Sequence, residues 1–102
     1  MSVRSIAWSA LLLLAITPSA LGQQSGDPAA GERLATATCA PCHSPAGMHS
    51  RAPAFAAIAA MPSTTQASLG VFLQTPHAPM PNLILSVAER NDLIAYILSL
   101  RP

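Results

Sequence analysis

The sequence predicts an all-α domain of about four helices. Three observations carry that reading: helix-start signatures recur along the chain, the C-terminal segment repeats apolar residues at helical spacing, and no stretch alternates polar and apolar residues as a strand would. With 102 residues in all, the chain holds one small domain.

Not all of the chain belongs to that domain. Arg4 gives a short positive start, "IAWSALLLLAI" from Ile6 to Ile16 is an apolar run, and Thr17, Pro18 and Ser19 break it before the small residues around Ala20-Leu21-Gly22. The run falls short of the roughly 20 residues that span a bilayer, so a cleaved secretory signal is expected rather than a retained anchor. The expected organisation is therefore a signal peptide over 1–22, a flexible lead-in over 23–26 ("QQSG") and the domain over 27–102, exported to the periplasm.

Without Arg4 the remaining charges are Arg33, Arg51, Arg90 and Arg101 against Asp27, Glu32, Glu89 and Asp92, with no lysine, and they balance. No basic stripe exists for nucleic acid or an anionic lipid surface. Phe55, Phe72 and Tyr96 are the only aromatics after the signal. A domain of about 80 residues with so few bulky side chains is marginal alone and calls for a disulfide, a metal or a cofactor. A Cys39–Cys42 disulfide would close so short a loop that it would constrain the unfolded chain little.

The elements follow in order. Asp27-Pro28 reads as an N-cap with proline at the first helical position, where its missing N–H costs nothing. The helix behind it is expected over Pro28 to Thr38, with Ala30, Leu34 and Thr38 along one face, delivering the chain into Cys39. "SPAGMHSRAP", Ser44 to Pro53, is loop-like. A short helix is expected around Ala54 to Ala60, ended by Met61-Pro62 because a residue before proline avoids helical geometry. Ser63-Thr64-Thr65-Gln66 matches a capping box, with its helix reaching about Gln74. "TPHAPMP", Thr75 to Pro81, holds three prolines in seven residues and excludes regular structure. Ser86-Val87-Ala88-Glu89 is a second capping box, followed by Leu93, Ile97 and Leu100 on one line with Ile94 and Leu98 beside it. Arg101 is placed to complement the C-terminus of that last helix.

The cysteines lie in "CAPCHSPAG", Cys39 to Gly47, and three chemistries compete for them. A dithiol redox pair needs its first cysteine at a helix N-terminus within strands and helices that alternate, whereas Cys39 follows a helix. A zinc site needs four ligands, and Cys39, Cys42, His43 with His49 or His77 lack the usual two close-spaced pairs. Haem attachment accounts for every residue: two thiols three apart add to the two vinyl groups of one haem, and the adjoining His43 becomes an axial nitrogen ligand of its iron. One covalently bound haem c would also be the missing staple. A sixth ligand must come from Met48, Met61, Met80, His49 or His77. Met48 and His49 follow His43 too closely to pass round the macrocycle. Met80 sits between Pro79 and Pro81, whose fixed φ angles hold its thioether with little entropy left to lose, so the expected iron ligands are His43 and Met80.

At this point the sequence resembles a known family. "GERLATATCAPCHS", "TPHAPMPN" and "ERNDLIAYILSLR" are similar, in this order, to the haem-bearing first helix, the methionine loop and the last helix of class I cytochromes c, particularly small bacterial ones. The resemblance spans most of Asp27 to Arg101. It implies the small cytochrome c fold, about four helices packed around one covalently bound haem, in which first and last helices cross with Gly31 approaching Leu93 and Tyr96. It also implies that the Pro53 carbonyl accepts from the other ring nitrogen of His43, and that Asn82 donates to the sulfur of Met80. The family's aromatic four residues before the first cysteine is replaced by Ala35, which implies a less well packed crossing. The family's propionate-binding tryptophan is absent, since Trp8 lies in the signal, and Arg51 reads as an exposed arginine rather than a propionate contact.

The expected function is a periplasmic monohaem electron carrier, not an enzyme, that exchanges single electrons with redox protein partners as a monomer and meets membranes only through redox complexes. Its contact face would be the apolar patch of Ala40, Pro41, Pro45, Ala46 and Met48, with a shallow ionic-strength dependence. Two other readings stay open: a haem-based sensor of nitric oxide or carbon monoxide, and the cytochrome subunit of a periplasmic dehydrogenase.

Overall fold

The computed structural model describes residues 25–43 and 52–102. The signal reading of residues 1–22, the first half of the lead-in, and Ser44 to Arg51 with Pro45, Ala46, Met48, His49 and Arg51 lie outside the described residues. The elements are α1 (Pro28–Leu34), a π-helical turn (Ala35–Cys39), α2 (Ala40–His43), α3 (Phe55–Ala60), α4 (Gln66–Phe72) and α5 (Val87–Ser99). No strand occurs among the described residues, and α1, α3 and α4 each pack on α5. The all-helical expectation holds.

Helix α1 starts as its sequence dictates. The Asp27 carboxylate accepts from the Ala29 amide at 2.9 Å, while the amide of Asp27 itself donates to Asp92 Oδ1 at 2.7 Å, so one residue caps α1 and ties it to α5. Gly31 lies where the two helices touch: a Cβ there would stand 2.0 Å from the Asp92 carbonyl oxygen and 2.8 Å from Tyr96 Cβ. The expected approach is real, but its closest partner is the Asp92 backbone rather than Leu93. Gly26, expected in a flexible lead-in, is also docked, since its Cβ would meet the Asn91 carbonyl oxygen at 2.0 Å.

Beyond Leu34 the helix departs from expectation. It does not stop at Thr38 but widens into a π turn, in which the Ala40 amide reaches back five residues to the Ala35 carbonyl, and then continues through both cysteines to His43. The reason lies in the spacing. Gly31, Ala35 and Cys39 are buried and four apart, and a regular α-helix would carry such a line roughly 40° round its axis at each step. A wider turn keeps all three facing inward. Ala35 is 4 % exposed and joins Cys39, Ala59, Leu69, Leu93, Ile94 and Ile97 in one core cluster. Leu93 and Ile97, at 1 % and 2 % exposure, are the expected line of α5, each stabilising the fold by about 1.5–3 kcal/mol. Leu100 is partly buried against them.

Helix α3 ends where Met61 turns extended ahead of Pro62, as expected. The start of α4 is corrected. Its N-cap is Thr65, not Ser63: Thr65 Oγ1 accepts from the Ser68 amide at 3.0 Å and Ser68 Oγ accepts from the Thr65 amide at 2.8 Å, so Ser68 fills the role assigned to Gln66. The cause is Thr64, whose buried hydroxyl donates to the Ile58 carbonyl at 2.6 Å and holds residues 61–64 in the turn between α3 and α4. The helix ends at Phe72, with Leu73 and Gln74 in a turn.

At α5 the expected capping box is present, the Ser86 amide donating to Glu89 Oε2 at 2.8 Å and the Glu89 amide to Ser86 Oγ at 3.2 Å. Arg101 is also corrected. Rather than serving the end of α5, its guanidinium donates to the carbonyls of Ala59, at 3.3 Å, and Thr64, because these end the short α3 and its turn with acceptors that no helix satisfies.

Two outcomes follow from these contacts. Gly31→Ala gains about 1 kcal/mol of helix propensity but pushes a methyl into the α5 backbone, an overpacking that costs about 1–3 kcal/mol or more where neither backbone can yield. The expected result is a lower unfolding midpoint in guanidinium, and an unchanged midpoint would count against the crossing. The second concerns pH. The Ser86 amide and hydroxyl hold the Glu89 carboxyl below its ordinary value, so the stability it adds is present above that value and is lost as pH falls through its folded pKa. Wild type is therefore expected to exceed Glu89→Gln in thermal stability at neutral pH, the gap closing in acid. A gap that persists in acid would assign it to packing instead.

Candidate functional site

Because the helix continues past the π turn, Cys39, Cys42 and His43 stand on adjoining turns of one rigid segment. Residues three apart on a helix are surface neighbours, with roughly 5–6 Å between their Cβ atoms, which is how one rigid group can meet both thiols. Both cysteines are free, Cys39 buried and Cys42 exposed, and burial pushes the Cys39 thiol above its ordinary value. Nothing cross-links them.

The imidazole of His43 is held from two sides. Its Nδ1 lies 2.7 Å from the carbonyl oxygen of Pro53, a bond that requires the proton on Nδ1 and leaves the lone pair on Nε2. The expected pairing of His43 with Pro53 is thus brought together across ten residues. The second contact was not anticipated: the Phe55 ring stacks on the imidazole, centroids 4.8 Å apart and planes 10° from parallel. Tyr96 of α5 meets Phe55 edge-on at 6.3 Å and 88°. The one available signal for Phe55 was its place two residues beyond Pro53 in "RAPAF".

The methionine loop forms a separate feature. Met80 and Asn82 line a cavity of about 180 Å³ with Phe72, Leu73, Gln74, Thr75, Pro76, His77, Pro81 and Leu83. His77 is packed edge-on against Phe72 at 5.3 Å, and its Nδ1 lies 3.0 Å from the Thr75 carbonyl. The cavity lining includes neither cysteine nor His43. Met61, an alternative ligand, lies exposed after α3. Among the described residues no group of three or more His, Cys, Asp and Glu could hold a metal ion, so the zinc alternative gains no support there. Nor, among them, is any helix long and apolar enough to cross a membrane.

The donors fit haem. An imidazole whose Nδ1 proton is engaged by a carbonyl offers Nε2 to a metal, and two unbridged thiols on the same helical segment suit the vinyl carbons of a single macrocycle. A thioether in a cavity of mixed polar and apolar lining at the second feature can serve the same group. Fold and site together define a small helical c-type haem protein. A sequence comparison carries this further: the chain is 39 % identical over 95 residues, covering 89 % of its own length and 91 % of the other's, to "Cytochrome c-552" of Bradyrhizobium diazoefficiens. The chain belongs to the class I c-type cytochromes, with covalent haem c as its cofactor and electron transport as its function. No family model matches the chain, and neither does any solved structure.

Proposed function

We propose that this protein is a periplasmic monohaem cytochrome c that passes single electrons between redox protein partners through an iron ligated by His43 and Met80. The observation that carries the reading is the His43–Pro53 hydrogen bond, which commits one ring nitrogen and reserves the other for iron. Cys39 and Cys42 would hold the cofactor by thioether bonds, each S–H adding across a vinyl C=C so that sulfur bonds one carbon and hydrogen the other. When bound, haem c supplies an iron that alternates between ferric and ferrous by one electron.

The chain's own residues set the conditions for that exchange. His43 offers a nitrogen whose basicity the Pro53 carbonyl raises. Met80 offers a thioether, which favours the ferrous state and a relatively high potential. Asn82, on the same cavity wall as Met80, is the proposed donor to its sulfur. Ligation by both His43 and Met80 would leave the iron no open position, which would favour electron exchange over ligand binding or catalysis. The balanced charge of Asp27 to Pro102 supports partners that meet it through an apolar face. The positive start and apolar run of residues 1–22, read as a leader, support export, and the protein is proposed to act as a monomer.

Visible spectra of the oxidised protein, the reduced protein and the reduced protein under carbon monoxide test the reading. A sharp low-spin reduced spectrum that carbon monoxide leaves unchanged is expected for wild type, and Met80→Ala should bind carbon monoxide and lose potential. A wild-type protein that binds carbon monoxide readily would replace the electron carrier with a ligand sensor. Stable co-purification with a larger dehydrogenase chain would make it a subunit instead.

A further inference from the structure

We infer that Phe55 is a positioning residue that sets the plane of the His43 imidazole, and that Tyr96 couples this plane to α5. The inference rests on the proposed role of His43 as an iron ligand. The hydrogen bond to Pro53 fixes the tautomer of the ring and one point on its edge. A carbonyl oxygen accepts over a broad range of directions, so that bond alone tolerates rotation of the ring about its Cβ–Cγ bond. A flat aromatic face removes this freedom. Phe55 provides one, 10° from parallel at 4.8 Å, within the range of offset aromatic pairs.

Both contacts come from one tripeptide. Pro53 takes the edge of the imidazole and Phe55 its face, with Ala54 between them in extended geometry at the N-cap of α3. Phe55 is fixed in turn from behind, where Tyr96 stands at 88° to it, an edge-to-face pairing that resists sliding and tilting. Tyr96 Cβ is also, after the Asp92 backbone, among the atoms that a side chain at Gly31 would strike. A continuous line of packed groups therefore runs from the α1–α5 crossing through Tyr96 and Phe55 to the ring of His43. The plane of an axial imidazole decides which iron d orbitals it overlaps and so how unpaired spin spreads over the ring in the ferric state. Phe55 acts on the iron only through His43.

The test uses the holoprotein as wild type, Phe55→Leu and Phe55→Tyr. In the reduced wild type, proton NMR should show contacts between the Phe55 ring and the His43 ring, a readout that needs no variant. In the oxidised state, Phe55→Leu should shift the g values in the electron paramagnetic resonance spectrum and the pattern of paramagnetically displaced haem methyl resonances, while Phe55→Tyr, which keeps the flat face, should restore both. Absence of the ring–ring contact, a Phe55→Leu spectrum identical to wild type, or a Phe55→Tyr shift as large as that of Phe55→Leu would each overturn the assignment. A wild-type protein with no low-spin haem signal at all would overturn the His43 reading, and this inference with it; the other failures leave that reading standing.

Discussion

The close approach of α1 and α5 at Gly31 is the constraint on which the rest of this structure depends. A backbone contact that admits no Cβ fixes where two helices cross, and the Asp27 amide on Asp92 fixes the same crossing one turn earlier. Helix α5 is also the surface on which α3 and α4 pack. Few large side chains are buried to reinforce the crossing: among the described residues Leu93 and Ile97 are the largest that are fully buried, and the buried positions of the first helical segment are glycine, alanine and cysteine. Small residues on one side and branched ones on the other let the helices come close.

From that crossing the site is assembled along two routes. The first helix carries it forward through the π turn, which keeps Cys39 inward while extending the rigid segment to His43. Helix α5 carries it through Tyr96 to Phe55 and thereby to one face of the same imidazole. Arg101 adds to the second route by binding the Ala59 carbonyl at the end of α3, the helix that begins at Phe55. The imidazole of His43, the proposed iron ligand, is held from both routes and so has little room to rearrange. For an electron carrier this is the relevant property, because the chemistry is the cofactor's and the protein contributes position and surroundings.

Much of this was legible in the sequence, and the misses have physical causes. Local signals worked where one chemistry had one solution: Asp27-Pro28, Ser86 with Glu89, and Met61 before Pro62 all behave as their side chains dictate. The α4 start failed because adjacent hydroxyl residues offered several caps, and only the burial of Thr64 against Ile58 selects Thr65. The π turn was not legible, since it differs from an α-helix by the register of its carbonyls and is favoured by the shared burial of residues 31, 35 and 39. The pairing of His43 with Pro53 came from resemblance, whereas the Phe55 stack depends on three segments meeting in space. Arg101 was assigned to its own helix because sequence proximity is a poor guide to the reach of a long side chain.

Native-state hydrogen exchange on the holoprotein tests the central claim, that the α1–α5 crossing and the histidine-bearing segment form one cooperative unit. The account predicts that the protected amides of α1, of the π turn and of α5 open with the same, highest free energy, above that of the methionine loop. Amides of α1 or of the π turn that exchange freely while α5 stays protected would contradict it, and would leave the haem alone, rather than the helix crossing, holding the site in place.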